Sequence, residues 1–308
     1  MPDEPKLIDL ASATQLVRRT VDPKLTVTAI RPLAGGMIHQ VCVLETDGQP
    51  ASIVVKLGTA QQQESLQRQR AVLDWYRLHA AIPVPRVYSV VQPLEGFVGS
   101  ALLMEHLPGV NLSDARLSPA GRQRVQQELA HHVIALHSHH GLRFGSVLDG
   151  EAGYETWVEM FRPMLQHNYE QVMYGLASRT RSIVFELIGR LERYFHPAGV
   201  RPTLCHGDLW ATNILVDDQH PDRPRITGFV DCAAIYCDPE YELAYLQLFH
   251  TADEHFLRLY HRAYPRRLGY AKRFGIYWLN TMLLHLHLFG EQYRRPCDDL
   301  AQQVRAMD

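Results

Sequence analysis

The segment with the clearest chemical potential is residues 205–215, which reads CHGDLWATNIL. Asp208 and Asn213 lie between two short apolar runs, and Asp231 follows a further apolar run at 226–230. Mg²⁺ prefers oxygen ligands and usually shares them with substrate phosphates. The pattern therefore favours Asn213 and Asp231 as ligands of Mg²⁺ bound with a nucleotide. Asp208 would then orient a hydroxyl group and accept its proton.

Each of these three residues has a simpler interpretation when it is taken alone. Asp, Asn and Gly are common in the turns that join strands, because their side chains bond to nearby backbone or tolerate unusual backbone angles. The interpretation as a metal and base site therefore depends on the complete set and its spacing, and no single residue carries it.

The catalytic segment resembles a known family. Residues 206–213 resemble the catalytic loop of the kinase-like superfamily. A loop that reads HGD instead of HRD resembles the loop of the aminoglycoside phosphotransferase branch. HGDLW followed by Asn213 resembles the same loop of the fructosamine (ketosamine) kinases. The resemblance runs from about residue 33 onward and includes tail segments at 260–265 and 277–293. It implies a bilobal protein-kinase-like fold that binds ATP and Mg²⁺ and phosphorylates a hydroxyl of a small sugar-like acceptor.

The same resemblance implies further nucleotide-binding residues. Gly35 and Gly36 fall between the first two predicted strands, where backbone N–H groups could approach phosphate. Lys56 ends an apolar run and matches the strand lysine that pairs with the α- and β-phosphates. Glu105 and Leu107 lie in the linker against which adenine should sit. Without the resemblance, a hairpin turn and a strand-edge lysine would explain the glycine pair and Lys56.

The helix after Lys56 departs from the family pattern. Kinases place a glutamate there that pairs with the strand lysine. In this chain that position holds Gln69, and Glu64 lies nearly a turn and a half earlier. Either residue could approach Lys56, and the sequence leaves the choice open.

The segment that follows Asp231 also departs from the family. From Asp231 the chain reads Asp-Cys-Ala, where fructosamine kinases have Asp-Pro-Ala. Asp238 and Pro239 follow after a few residues and read as a helix cap with proline in the first turn. So short an interval leaves no room for the peptide-docking loop of a protein kinase, which favours a small-molecule acceptor.

Three functional hypotheses follow. The first is an ATP-dependent kinase for a fructosamine or ribulosamine adduct, with an aminoglycoside as the close alternative acceptor. The second is a nucleotide-binding pseudokinase without activity, suggested by Gln69 and the altered residues after Asp231. The third is a metal-dependent phosphatase with His206 and Asp208 as ligands, which would need further His and Asp clusters for two-metal chemistry.

Composition excludes several other classes of protein. The chain has 308 residues, 46% of them hydrophobic, and a formal charge of −2. These values exclude a disordered chain and give no basic surplus for binding nucleic acid. The five cysteines include no pair spaced CxxC, which argues against a disulfide framework or a zinc ribbon. With no secretory signal or membrane span in the sequence, we expect a cytoplasmic protein.

The helices and strands that the sequence predicts around these residues indicate an α+β protein of two domains. Residues 1–105 form a β-rich nucleotide-binding lobe and residues 106–308 a helical lobe with the catalytic loop and acceptor site. Strands are predicted at 25–33, 37–46, 51–57, 86–92, 98–105, 203–216 and 225–231. Helices are predicted at 7–20, 60–80, 118–140, 154–173, 179–195, 240–264 and 270–295.

Overall fold

The computed structural model describes residues 8–33, 40–79, 82–91, 99–195 and 199–307. Within these residues, α-helices α1 to α10 are Leu10–Thr20, Gln63–His79, Pro119–His137, Trp157–Val172, Ser178–Ile188, Leu191–Tyr194, Pro239–Leu248, Glu254–Ala263, Tyr270–Phe289 and Arg294–Ala306. Strands β1 to β11 are Val27–Pro32, Gln40–Thr46, Ser52–Gly58, Val87–Val91, Ser100–Glu105, Val110–Asn111, Gly145–Ser146, Thr203–Cys205, Ile214–Asp217, Arg225–Phe229 and Ile235–Cys237. The α+β class is confirmed. In this part of the chain, no helix combines the length and hydropathy needed to cross a membrane.

The chain divides into two compact units. The first comprises Met1–Arg116, Thr212–His220 and Ile226–Cys232, and the second comprises Leu117–Ala211, Pro221–Arg225 and Ala233–Asp308. This division differs from the predicted boundary after residue 105, because the strand β9 and most of β10 join the first unit. Antiparallel pairing with β6 connects β9 to the segment after the large sheet.

The first unit is built on a five-stranded antiparallel sheet with the order β1-β2-β3-β5-β4. As predicted, β2 and β3 form a hairpin and α2 is inserted after β3. Successive strand residues point to opposite faces. Alternate residues on one face, among them Cys42, Leu44 and Val55, join the buried residues of α1 in one core. The other face of the sheet is left to α2, which contacts β4 and β5.

The second unit is built around α9, which packs against α4, α7 and α10, while α3 packs against α8. A small sheet with the order β7-β11-β8 leads into the catalytic segment. The predicted helix at 240–264 is two helices, because the N–H groups of Thr251 and Ala252 both turn back to the carbonyl of Leu246. Asp253 then caps α8. The predicted helix at 270–295 ends at Phe289, since Gly290 follows with a φ of 91°.

The start of α7 is anchored by a buried carboxylate. Asp238 is 0% exposed and accepts the backbone N–H of Glu240 at 2.9 Å, as an N-cap does. Both carboxylate oxygens also accept hydrogen bonds from the Arg267 guanidinium, at 2.6 and 2.8 Å. The hydroxyl of Tyr277, on α9, donates to Asp238 at 2.7 Å. The predicted cap is therefore confirmed, and it also joins α7 to α9.

Asp238→Ala should lower the free energy of unfolding more than the loss of an exposed helix cap does. The substitution leaves the Tyr277 hydroxyl without its buried acceptor and removes one of the two carboxylates bound by Arg267, which keeps Glu240. Together with the lost cap this should cost about 2–4 kcal/mol. The matched control is Asp253→Ala, which removes the exposed cap of α8 and should cost about 1 kcal/mol. Urea unfolding of both variants measures the difference, and equal losses would contradict a special role for Asp238.

Candidate active site

The first unit holds three of the predicted residues close together. Lys56 lies on β3, on the sheet face opposite the α1 core, and is only 8% exposed. Its ammonium group forms an ion pair with the Asp231 carboxylate, whose side chain is 47% exposed. A buried ammonium needs such a partner, because the loss of hydration disfavours the charged form. Asp231 thus places a carboxylate at the end of the Lys56 side chain.

The partner contributed by α2 is Gln69. Its side-chain amide donates to the same Asp231 oxygen, Oδ1, at 3.1 Å. Gln69 lies three residues after buried Leu66 and four before buried Leu73, so all three share one face of the helix. Glu64 is exposed in the first turn. Of the two residues that the sequence left open, Gln69 is the one that bonds to the carboxylate paired with Lys56.

The two predicted metal ligands lie side by side. Asn213 ends a short 3₁₀ turn, is 6% exposed, and leads directly into β9. Its carbonyl accepts the N–H of Val230 at 3.0 Å, which brings Asn213 next to the residue before Asp231. Asp231 has a φ of 57°. Such left-handed backbone is uncommon outside glycine and is often found at functional sites. Asn213 and Asp231 therefore lie at neighbouring ends of the adjacent strands β9 and β10.

The structure describes two of the four further residues predicted to bind the nucleotide, Glu105 and Leu107. Glu105 ends β5, and its carboxylate accepts the Arg86 N–H at 3.1 Å. Leu107 packs so closely on Gly228 that a Cβ at Gly228 would lie 2.2 Å from the leucine side chain. Both side chains are thus engaged within the first unit. Gly35 and Gly36 lie outside the described residues.

The second unit holds Asp208 in a tight loop. Gly207, directly before it, has a φ of 88°, and a Cβ there would lie 2.8 Å from Ala233. A side chain is excluded both by the backbone angle and by the close approach, so the position requires glycine. The carbonyl of His206 accepts the N–H groups of Ala233 and Ala234 at 2.8 and 3.2 Å. Residues 206–208 are thus fixed against the turn that precedes β11.

A buried carboxylate of α7 holds this loop from the other side. Glu242 is 2% exposed and accepts the N–H of Gly207 at 2.8 Å. Its second oxygen lies 3.1 Å from Nε2 of His137, which is itself 1% exposed. Burial alone would raise the pKa of Glu242, but the hydrogen bond and charge of His137 hold that pKa below its usual value. Glu242 is therefore an anion at neutral pH.

One contact to Asp208 was not predicted from the sequence. The hydroxyl of Tyr245 donates to Oδ1 of Asp208 at 2.8 Å. Tyr245 follows Glu242 by three residues, so both lie on one face of α7 and meet consecutive residues of the loop. The helical spacing was readable in the sequence. The partner was not, because it depends on how α7 packs against the loop.

Tyr245 belongs to a chain of aromatic side chains that contact one another within the second unit. Phe249 lies 4.7 Å from Tyr245, between ring centroids, and 5.8 Å from Trp210. His285 lies 5.2 Å from Phe249, and its Nδ1 donates to the Thr281 carbonyl at 2.9 Å. Burial lowers the pKa of His285, so the ring is neutral near pH 7. These rings form one aromatic cluster that reaches Tyr245, the hydrogen-bond donor to Asp208.

The sequence model of the fructosamine kinase family matches residues 10–307. A "probable ketoamine kinase" of Enterococcus faecium is 30% identical over 240 residues, which cover 73% of this chain and 78% of that protein. The ketosamine-3-kinase of Mus musculus is 26% identical over 289 residues, covering 84% and 89% of the two chains.

Solved structures agree on the fold. A candidate fructosamine-3-kinase from Thermobifida fusca superimposes with a TM-score of 0.71 at 21% identity, covering 97% of this chain and 100% of that one. The GDP complex of wild-type aminoglycoside 2'-phosphotransferase-IIIa gives 0.66 at 16% identity, covering 97% and 99%. At such identities the likeness concerns the fold alone, which is kinase-like as expected.

Glu242→Ala should lower the free energy of unfolding by about 3 kcal/mol or more, because Gly207 N–H and His137 then lose a buried anionic acceptor. Glu254→Ala, at an exposed glutamate in the first turn of α8, serves as control and should cost less than about 1 kcal/mol. A double-mutant cycle with His137→Ala should show a coupling of about 1 kcal/mol or more. Additive losses would mean that the two side chains do not support each other.

Proposed function

The chain belongs to the fructosamine kinase family and is a phosphotransferase for a hydroxyl group of a sugar-like molecule; we propose that it transfers the γ-phosphate of Mg-ATP to a ketosamine. The observation that carries the proposal is the cluster of Lys56, Asn213 and Asp231 in one unit of a chain with this family's catalytic segment. It combines a buried cation for phosphate with oxygen ligands for a metal.

Lys56 and Asp231 would change partners when the nucleotide binds. In the ligand-free protein they neutralise each other. Mg-ATP offers an anion to Lys56 and a cation to Asp231, so both charges keep a partner. Mg²⁺, when bound, neutralises phosphate charge in phosphoryl transfer. Asn213 and Asp231 would hold it, and this oxygen-only set fits its preference.

Asp208 would orient the acceptor hydroxyl and take its proton. Phosphoryl transfer needs little covalent chemistry from the protein, so catalysis consists of positioning and charge stabilisation. The loop contacts of Gly207 and the contact of Tyr245 with Asp208 favour this role, because they fix the carboxylate before any substrate binds.

A ketosamine is preferred over an aminoglycoside as the acceptor. The relatives that align over most of the chain are named for ketoamines or ketosamines, whereas the likeness to aminoglycoside phosphotransferases lies in the fold. We also propose that the protein works in a reducing, cytoplasmic setting, which the five buried cysteines without disulfide bonds support.

Coupled ADP release with Mg-ATP tests the reaction over a panel of fructosyl-lysine, ribulosyl-lysine, kanamycin, simple sugars and no acceptor. We expect turnover with the ketosamines, and Asp208→Ala should lower kcat by about 10²–10⁴-fold, the usual contribution of a positioned acid or base. Turnover with kanamycin alone would indicate an antibiotic phosphotransferase. Tight Mg-ATP binding without turnover on any acceptor would favour the pseudokinase, for which Gln69 is the supporting feature.

Lys56→Met should lower kcat/KM for ATP with little effect on the free energy of unfolding, since Met fills a similar volume without the charge. We expect kcat/KM for ATP to fall by about tenfold or more, because a cation that contacts phosphate is lost. Lys24→Met removes an exposed lysine of the same unit and should leave kcat/KM unchanged. An unchanged kcat/KM in the Lys56 variant would remove the phosphate role.

A further inference from the structure

The side chain of Asp208 is held by the protein itself. Tyr245 donates a hydrogen bond from its hydroxyl to Oδ1 at 2.8 Å, and both residues are half-buried. A hydrogen bond to an ionised carboxylate is roughly twice as strong as one between neutral groups. The rotation of the Asp208 carboxylate is therefore restricted before any acceptor arrives.

The donor is mounted on a rigid support. Tyr245 lies on α7, whose Glu242 accepts the N–H of Gly207, so one helix face fixes both the backbone before Asp208 and its side chain. The carbonyl of Ala244, next to Tyr245, accepts the indole N–H of Trp278 at 2.7 Å. This bond ties the same turn of α7 to α9, so the hydroxyl has little freedom to move away.

The phenol remains protonated at any working pH. Burial, followed by the negative charge of Asp208 and the neighbouring Tyr241, raises the pKa of Tyr245 well above its usual value. The contribution of Tyr245 is that of a permanent donor with a fixed direction.

We propose that Tyr245 is a positioning residue for phosphoryl transfer, which holds Oδ1 of Asp208 and so sets the direction in which Oδ2 meets the acceptor hydroxyl. The inference rests on the proposed function. In that reaction the acceptor oxygen forms a bond to the γ-phosphorus and the bond from that phosphorus to the ADP oxygen breaks. The hydroxyl proton passes to Asp208, and Tyr245 keeps its own proton.

Tyr245→Phe removes the hydroxyl and keeps the ring that packs on Phe249. Loss of a hydrogen bond to a charged group corresponds to a decrease of about 10- to 100-fold in kcat when the bond acts in the transition state. The KM values for Mg-ATP and for the ketosamine should stay within about twofold, because the variant still binds both substrates. Incorporation of 3-fluorotyrosine at position 245 restores the donor and should restore kcat.

The matched control is Tyr169→Phe on α4. It also removes a tyrosine hydroxyl that donates a hydrogen bond, in this case to the carbonyl of Arg181 at 3.3 Å. We expect kcat within about twofold of the wild type. An equal decrease in both variants would make the effect of Tyr245 a general loss of stability and would overturn the inference.

Three kinetic results contradict the positioning role. An unchanged kcat in Tyr245→Phe means that the contact does not matter for turnover. A rise in the acceptor KM alone means that the hydroxyl contacts the acceptor instead of orienting Asp208. An increase in kcat means that the phenol occupies the place of the acceptor hydroxyl and competes with it.

Crystal structures of the wild type and Tyr245→Phe decide the question without turnover. The Asp208 carboxylate should take one orientation in the wild type and more than one in the variant. A single unchanged orientation in the variant overturns the inference. If the wild type phosphorylates no acceptor, the proposed function fails, while this comparison still decides whether Tyr245 positions Asp208.

Discussion

The catalytic segment depends on a carboxylate that is almost entirely removed from water. Burial of an ion is unfavourable unless its hydrogen bonds are satisfied by the protein. Glu242 meets this condition with the N–H of Gly207 and with His137, whose other ring nitrogen lies 2.7 Å from the hydroxyl of Tyr260. These contacts connect α3, α7, α8 and the loop after β8. Because the anion tolerates few other arrangements, it fixes the backbone just before Asp208.

The first unit also contains a nearly buried charge, but its partner is exposed. Lys56 is nearly buried, and Asp231 neutralises it from an exposed position with an uncommon backbone angle. The left-handed backbone of Asp231 is an uncommon conformation that is often found at functional sites. Under the proposed function both charges would take new partners from Mg-ATP, whereas Glu242 would keep its contacts with Gly207 and His137.

Local patterns predicted the sheet and most helices, and the resemblance of the HGDLW segment to a known family implied the kinase-like fold. Runs rich in Val, Ile, Leu and Thr and the HGDLW segment depend on neighbours in sequence, which is why they could be read directly. The break between α7 and α8 was missed because it follows from backbone bonds back to Leu246 and no proline or glycine marks it. Gln69 could have been chosen over Glu64 from its helical phase with Leu66 and Leu73. Tyr245 could not, since its partner lies on a different element.

The spacing along α7 explains how one short helix serves the loop. Asp238, Glu242 and Tyr245 are separated by four and three residues, so they lie along one face. The first fixes the helix to Arg267 and to Tyr277, the second holds the loop backbone, and the third holds the Asp208 carboxylate. A shift of α7 at its anchored end would move both loop contacts together. The direction of the Asp208 carboxylate is thus coupled to the ion pair between buried Asp238 and half-buried Arg267 at the start of the same helix.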